Sequence, residues 1–536
     1  MNLKCTLALL TTTLAALTAS ADPVDLVLHL KERTPIEALA KNVNDPTSSH
    51  YRKFYTPAEI LKLSGPTKKQ YGKMLSDLRE KGFEITGETK THLFISIRGE
   101  QKSVESLFST QMKPKVRNRW VGVLTRVLFP KALDIVETVT GLDQTRVLHP
   151  HYHLLPKNGV DAMGGQTAAA PPVLSPQQVR TAYGFDSIYD GKIDGTGQHI
   201  AIATYGGFHM DDVNGFFREA GLSPSPAIDQ VTFNGTAEID EDAAVETALD
   251  TEFSGMLAPG AKVHVFTSSQ NNSAGEMQMF TAILDDNRAR VVNYSWGICE
   301  AAVDPAHRAD MDKIFAQAVA QGVNIMVASG DSGAYGCSDG SDNKVADWPS
   351  SSPNVVAVGG TKVKLNSYGD ISTETAWNWE KTDPSGSGGG ISSFYALPDY
   401  QSSFKAPYLM RSAPDVSFDA DPESGQQVWT SCQPNKQGTC EHGTAGWMSI
   451  GGTSMAAPQW AGFMALVEQA RANQRLSPLG QLNPIIYSLD AKTRSTVFRD
   501  VTSGTNGGYK ASKGWDPVTG WGSMRADSML NYLGDH

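Results

Sequence analysis

The stretch Ser449-Ile450-Gly451-Gly452-Thr453-Ser454-Met455-Ala456-Ala457-Pro458 leads into the apolar run 459–470, and its reading decides the fold of the second half of the chain. Small residues around a serine at a helix start leave its hydroxyl exposed, with backbone N–H groups aimed at any oxyanion formed beside it. A Gly-Thr-Ser turn alone reads as a plain helix cap. Ser454 therefore needs partners elsewhere before it counts as a nucleophile. Upstream of it the chain has an α/β rhythm. The runs 291–295, 323–329 and 355–358 are short and rich in β-branched residues. Between the first two, 309–321 places Met311, Ile314, Phe315 and Ala318 on one helical face and closes at Gly322. Strand, helix and strand repeated in this way predict a parallel sheet flanked by helices.

The first half reads differently. It mixes a helix over 67–81 with a strand over 91–97, an α+β pattern. Its charge differs too: residues 22–165 carry a net +6 and residues 166–536 a net −18, within a chain of 536 residues and overall charge −11. The texture changes at 156–172, where Gly164-Gly165, Ala168-Ala169-Ala170 and Pro171-Pro172 have linker composition. The division is a signal peptide at 1–21, a prodomain at 22–155, a linker with the maturation cleavage at 156–172, and a catalytic domain at 173–536. The signal rests on Lys4, the apolar stretch 7–17 and the small-residue site Ala19-Ser20-Ala21. No later run reaches the roughly 18 apolar residues of a membrane span. The acidic balance excludes a nucleic-acid binder, and the aromatic content excludes disorder as the main state. A basic domain tied to an acidic one suggests a propeptide lying on its own enzyme, released when protonation removes the attraction.

Secretion makes sense of the cysteines. Cys5 leaves with the signal, and Cys299, Cys337, Cys432 and Cys440 allow three pairings. We favour Cys432–Cys440 and Cys299–Cys337. No C-x-x-C spacing supports zinc.

A serine nucleophile needs a base. His442-Gly443-Thr444 mimics a subtilisin histidine motif, but it lies twelve residues before Ser454, beside Cys440, with no apolar helix after it. It reads as a loop residue. The alternative is a carboxylate. Glu246 and Asp250 stand i, i+4 within 243–257, so on a helix both occupy one face. Their neighbours Ala243, Ala244, Val245, Ala248, Leu249 and Phe253 are apolar, so that face should be buried. Buried paired carboxylates with split pKa values are a recurring acid/base device.

With these residues the chain resembles the sedolisins, or serine-carboxyl peptidases. Their E-x-x-L-D segment appears as Glu246-Thr247-Ala248-Leu249-Asp250, followed by Ala258-Pro259-Gly260-Ala261. Their G-T-S-x-x-x-P segment matches Gly452 through Pro458, and their S-G-D-x-G loop matches Ser329-Gly330-Asp331-Ser332-Gly333. Further matches are Ser295-Trp296-Gly297, the run 388–392, Pro414-Asp415-Val416-Ser417 and, in the first half, the stretch 49–57. The resemblance covers nearly all of the chain after the signal. It implies a subtilisin-like doubly wound parallel sheet preceded by a smaller α+β activation domain. It also implies roles: Ser454 attacks the scissile carbonyl, Glu246 is general base, Asp250 hydrogen-bonds and orients Glu246, and Asp331 serves the oxyanion hole. A carboxylate would repel an oxyanion, so Asp331 must be protonated, which implies an acidic optimum. The resemblance further implies one structural calcium ion, held by the side chains of Asp500 and Asp516 and the carbonyls of Val501, Ser512 and Gly514, all hard oxygen donors.

The expectation is a secreted, monomeric, acid-active serine-type endopeptidase made as a zymogen and inhibited by its own prodomain. It acts on proteins or peptides, without membrane or nucleic-acid partners. A tripeptidyl-peptidase of the same family is the alternative. A non-catalytic calcium-binding scaffold and a neutral-pH subtilisin using His442 are the rivals.

Overall fold

Strands whose residues are apolar on both faces can satisfy those faces only if helices cover both sides of the sheet. A computed structural model of the chain places such a sheet at its centre; it describes residues 23–114, 120–122, 133–155, 173–337, 343–378, 384–405, 407–435 and 440–535. The expected signal at 1–21 and the linker at 156–172 lie outside those residues.

In spatial order the sheet runs Ala227–Phe233, Lys262–Ser268, His199–Tyr205, Val291–Tyr294, Asn324–Ala328, Val356–Leu365, Val416–Asp419 and Ser523–Met524, with every neighbouring pair parallel. Antiparallel pairing occurs only where Phe498–Arg499 and Ile371–Ala376 join it. The three β-branched runs read from the sequence are its central strands, and the third continues to Leu365. The helix read over 309–321 begins earlier, at Pro305, because the Asp304 carboxylate caps the N–H groups of Ala306 and His307.

Two helices sit inside the protein rather than on it. In Glu241–Leu257 every residue from Ala243 onward is buried, and in Thr453–Asn473 every residue from Thr453 to Gln469 is. Neither has a polar face, as expected of helices enclosed on all sides. They pack against each other, and Gly462 lets them close: a Cβ there would meet the Ser254 carbonyl oxygen at 2.6 Å. Both predicted disulfides are present, Cys299–Cys337 and Cys432–Cys440.

The N-terminal domain is a four-stranded antiparallel sheet, ordered Glu84–Glu88, Phe94–Gly99, Val24–Leu30 and Val136–Thr140. The helices Lys68–Glu80 and Gln101–Phe108 cover one face of it through Tyr71, Met74, Leu78, Val104 and Leu107. The domain docks on the outer side of Pro305–Ala320. Ile36, Leu39 and Val43 share one apolar cluster with Met311, Ile314, Phe315 and Ala318. The contact is thus mainly apolar rather than a meeting of opposite net charges. Its ion pairs at Lys313 even run against the net charges, with the lysine on the C-terminal domain and Glu32 (3.2 Å) and Glu37 (2.8 Å) on the N-terminal one. Beneath them the buried Asp310 carboxylate accepts from Thr138 Oγ1 (2.5 Å) and Thr140 Oγ1 (2.8 Å) and pairs with His29 Nδ1 (3.2 Å).

After Val136–Thr140 the chain crosses to the other domain. His149–Pro150 pairs antiparallel with Trp296–Cys299, and His153–Leu155 pairs antiparallel with Cys440–Gly451. One extended segment is therefore stitched to both walls of a groove, with His151 and Tyr152 between the two pairings.

Candidate active site

The groove lies at the C-terminal ends of the central strands, where parallel α/β sheets place their ligand sites. Ser295 follows Val291–Tyr294, and Asp331 stands three residues beyond Asn324–Ala328. Ser454 sits in the first turn of Thr453–Asn473. Glu246 and Asp250 stand one turn apart on the enclosed helix. The structure brings these four sequence-derived residues together.

Gly452 shapes the corner. It adopts φ +113°, in the region that favours glycine. A Cβ on it would meet His151 O at 2.3 Å, Tyr152 Cα at 2.6 Å and Asp331 Oδ2 at 2.7 Å. The threaded segment and the Asp331 carboxyl thus converge where Gly452 leaves space. Asp331 Oδ1 accepts from Thr453 N and Thr453 Oγ1, both at 2.8 Å, while Oδ2 lies 3.4 Å from His153 Nε2.

Ser454 N donates to His151 O at 2.9 Å, the bond an oxyanion-hole donor makes to a carbonyl about to be attacked. His151 N in turn donates to Ser454 Oγ at 3.0 Å, and the serine hydroxyl donates to Ser295 O at 3.2 Å. Glu246 lies close enough to the Ser454 and Ser295 hydroxyls for them to favour its ionised form, but each hydroxyl has only one proton and places it elsewhere. Ser295 Oγ donates to Asp250 Oδ1 at 2.7 Å, and Asn293 Nδ2 donates to Ser295 Oγ at 3.1 Å. Both Glu246 oxygens and Asp250 Oδ2 are left buried without a hydrogen bond. The sequence reading expected Asp250 to hydrogen-bond Glu246; Asp250 lies close enough to Glu246 for the two to share a proton, and Ser295 engages its Oδ1 beside that contact.

Burial pushes the Glu246 carboxyl well above the usual range, and the Asp250 charge adds to it. Asp250 is raised by burial as well. Two apposed carboxyls in a dry site favour sharing a proton over holding two charges. Below the pH at which both would ionise, one can accept a proton that the other helps to hold.

Ser295, Asn293 and the segment through His151 escaped the sequence reading as parts of the site. Asn293 and Ser295 alternate along a strand end and so share a face, as do His149, His151 and His153, a period-two signal present in the sequence. His442 is not a loop residue. It lies on the strand Cys440–Gly451, nine residues before Gly451, about 30 Å at the usual rise. Its neighbours are Glu241 and His209 rather than Ser454.

At the C-terminal loop, Asp500 accepts from Gly514 N at 2.9 and 3.2 Å. Asp516 accepts from Ser512 N (2.8 Å), Val518 N (3.0 Å) and Thr519 N (2.9 Å). Burial pushes Asp516 up to about 6, and among the described residues no cationic side chain pairs with it. Two carboxylates gripping one five-residue loop, one of them buried without a countercharge, make a donor set that fits a hard cation such as calcium.

The subtilase family profile matches residues 239–522, and the profile of the pro-kumamolisin activation domain matches residues 13–145. The chain is 32% identical to sedolisin from Pseudomonas sp. (strain 101), over 94% of this chain and 86% of that protein. It is 35% identical to kumamolisin from Bacillus sp. (strain MN-32), over 74% of this chain and 70% of that protein. The solved structure of Pseudomonas sedolisin, a serine-carboxyl proteinase, superposes with a TM-score of 0.59 at 32% identity, covering 68% of this chain and 99% of that one.

Proposed function

Because the chain belongs to the sedolisin family of peptidases and carries that family's activation domain, we propose that it is a secreted, acid-active endopeptidase made as a zymogen. The observation that carries this reading is the segment 149–155 lying across Ser454 with the His151 carbonyl on the Ser454 N–H.

That segment also bears on the kind of peptidase. Residues N-terminal to an attacked carbonyl occupy the acyl side of the cleft. Here His151, Pro150, His149 and Leu148 are all seated there, with Leu148 exchanging hydrogen bonds with the Asn271 side chain (both 2.9 Å), and the chain continues upstream. A tripeptidyl-peptidase must close that side after three residues. An open acyl side supports cleavage within chains.

In the reaction, removal of the segment frees the Ser454 hydroxyl from His151 and leaves it able to rotate away from Ser295 O. It then turns its proton to Glu246, which returns it to the leaving amine. Asp250, fixed by Ser295 and Asn293, takes up charge beside Glu246. Ser454 N–H and a protonated Asp331 stabilise the oxyanion, with Thr453 holding the aspartate's other oxygen. With the segment in place the nucleophile is misaligned, so the precursor is held inactive by its own chain. A calcium ion held by Asp500, Asp516 and the carbonyls of Val501, Ser512 and Gly514 would brace the C-terminal loop and take no part in bond breaking.

The test is acidification of the secreted full-length chain, followed on gels and with peptides carrying a blocked N-terminus and at least four residues before the labelled bond. Self-conversion and cleavage at acid pH, both lost in Ser454→Ala and Glu246→Gln, support the proposal. Activity confined to peptides with a free N-terminus three residues from the bond would replace endopeptidase by tripeptidyl-peptidase. Activity peaking at neutral pH would remove the role of protonated Asp331.

A further inference from the structure

Away from the active site, two imidazoles and one carboxylate meet at the outer end of the helix that carries Glu246. Glu241 is the first residue of Glu241–Leu257, His209 immediately precedes the helix Met210–Glu219, and His442 lies on Cys440–Gly451. His209 Nε2 lies 3.2 Å from Glu241 Oε2, and His442 Nδ1 lies 3.8 Å from the same oxygen. The two rings stand 4.4 Å apart at 37°, and one ligand atom from each of the three residues falls within 4.8 Å of the others. Ligands at zinc–nitrogen and zinc–oxygen bond lengths of about 2.0–2.1 Å in a tetrahedron are separated by about 3.3 Å. Small side-chain rotations would complete that figure.

The backbone around these residues is held independently of any ion. Asp242 accepts from Cys440 N at 3.0 Å, and Asp212 accepts from Ser431 N (2.8 Å) and Ser431 Oγ (2.7 Å). The Cys432–Cys440 disulfide closes the hairpin between them. Two strand positions and two helix starts are thereby fixed around the cluster. His209 makes no capping bond to its own helix, so its ring is committed to the cluster rather than to the backbone.

We propose that His209, Glu241 and His442 form a binding site for a divalent transition-metal ion, zinc above all. Two imidazoles and a single carboxylate suit zinc, whereas calcium calls for more oxygen ligands. The fourth position opens to solvent on the side of His442, which is 56% exposed. A bound ion joins the start of the helix bearing Glu246 to the hairpin whose last strand leads into Ser454, and so braces that one wall of the cleft from outside.

The experiment uses the untagged full-length chain carrying Ser454→Ala, which prevents self-cleavage, washed free of metal with a chelator. Zinc is titrated calorimetrically near neutral pH, with melting temperature as a second readout. One zinc per chain is expected, with a raised melting temperature, and both effects should be weakened at least about tenfold by His442→Ala and by His209→Ala. His442 is exposed enough that its alanine variant should match the parent's melting temperature in chelator; Glu241→Gln offers a second variant should His209→Ala misfold. Absence of a stoichiometric zinc site overturns the proposal. So does zinc binding that survives all of these substitutions, which would assign the ion to other histidines.

Discussion

Asp310→Asn tests how the prodomain is held. The parent carboxylate is buried on the catalytic side and receives three prodomain groups, His29, Thr138 and Thr140. Burial alone would lower the His29 pKa, yet Asp310 and then Glu32 reverse this and push it up to about 9 from 6.5. At about 1.4 kcal/mol per unit the shift corresponds to at most about 3 kcal/mol for the docked state, since Glu32 contributes to it and stays with His29 when the domains part. Each threonine bond loses a further ~0.5 kcal/mol when its acceptor becomes neutral. With the share of Glu32 set aside the total is about 3 kcal/mol, roughly a 100-fold rise in the undocked fraction. The sign follows from the direction of the shift. A group whose folded pKa is raised stabilises fully below its unfolded value of 6.5, and that contribution is lost as pH rises through about 9. The assay is loss of the prodomain to added subtilisin, in a Ser454→Ala background, at pH 6 and pH 9.5. Digestion tracks the open population when opening and closing are fast. The variant should be cut far faster than the parent at pH 6, and the gap should narrow at pH 9.5. Equal rates at pH 6, or an undiminished gap at pH 9.5, would refute the reasoning.

Other outcomes follow from the same geometry. Burial raises Asp312 and Glu468 to about 7 and Asp285 to about 6, so the fold binds protons more tightly than the unfolded chain, and the Ser454→Ala melting temperature should fall between pH 4 and pH 7.5; a flat profile counts against those burials. Gly452→Ala forces a Cβ into His151 O and Asp331 Oδ2 at a left-handed φ, so it should cost at least about 2 kcal/mol by chemical denaturation and abolish self-conversion. Chelating calcium should lower the melting temperature by the equivalent of about 2.7 kcal/mol if calcium had been at 100 times its dissociation constant, and Asp516→Asn should make the protein indifferent to chelator; an unchanged parent excludes the site.

The sequence made the central sheet and the Glu246/Asp250 pair legible because each has a local signature, whereas Ser454 and Asp331 stood out only through the resemblance to the sedolisins. β-branched runs mark buried parallel strands, and Glu246 and Asp250 show their shared face through helical spacing. What it concealed depends on contacts distant in the chain. Nothing near Ser295 announces that its hydroxyl would reach Asp250, 45 residues away. Nothing near His151 announces a backbone bond to Ser454, 303 residues on. Net charge also misdirected: the opposite signs of the two halves suggested an electrostatic clamp, whereas Ile36, Leu39 and Val43 meet apolar residues and Lys313 pairs in the reverse sense. His442 read as a loop residue because its Gly443 and Cys440 neighbours suggest a turn, but the cross-strand ladder with Gln426–Pro434 keeps it extended.

The way residues 149–155 are stitched into both groove walls makes the inhibitor a tethered ligand of its own cleft. While the chain is whole, the concentration of the segment at the site is fixed by its covalent attachment, and no dilution changes it. A cut within 156–172 turns the same segment into a separate molecule whose rebinding depends on how much protein surrounds it. The cut segment would then leave the cleft where the protein is dilute and rebind where it is concentrated. Dilution thereby becomes a second trigger, set by where the protein has travelled rather than by pH.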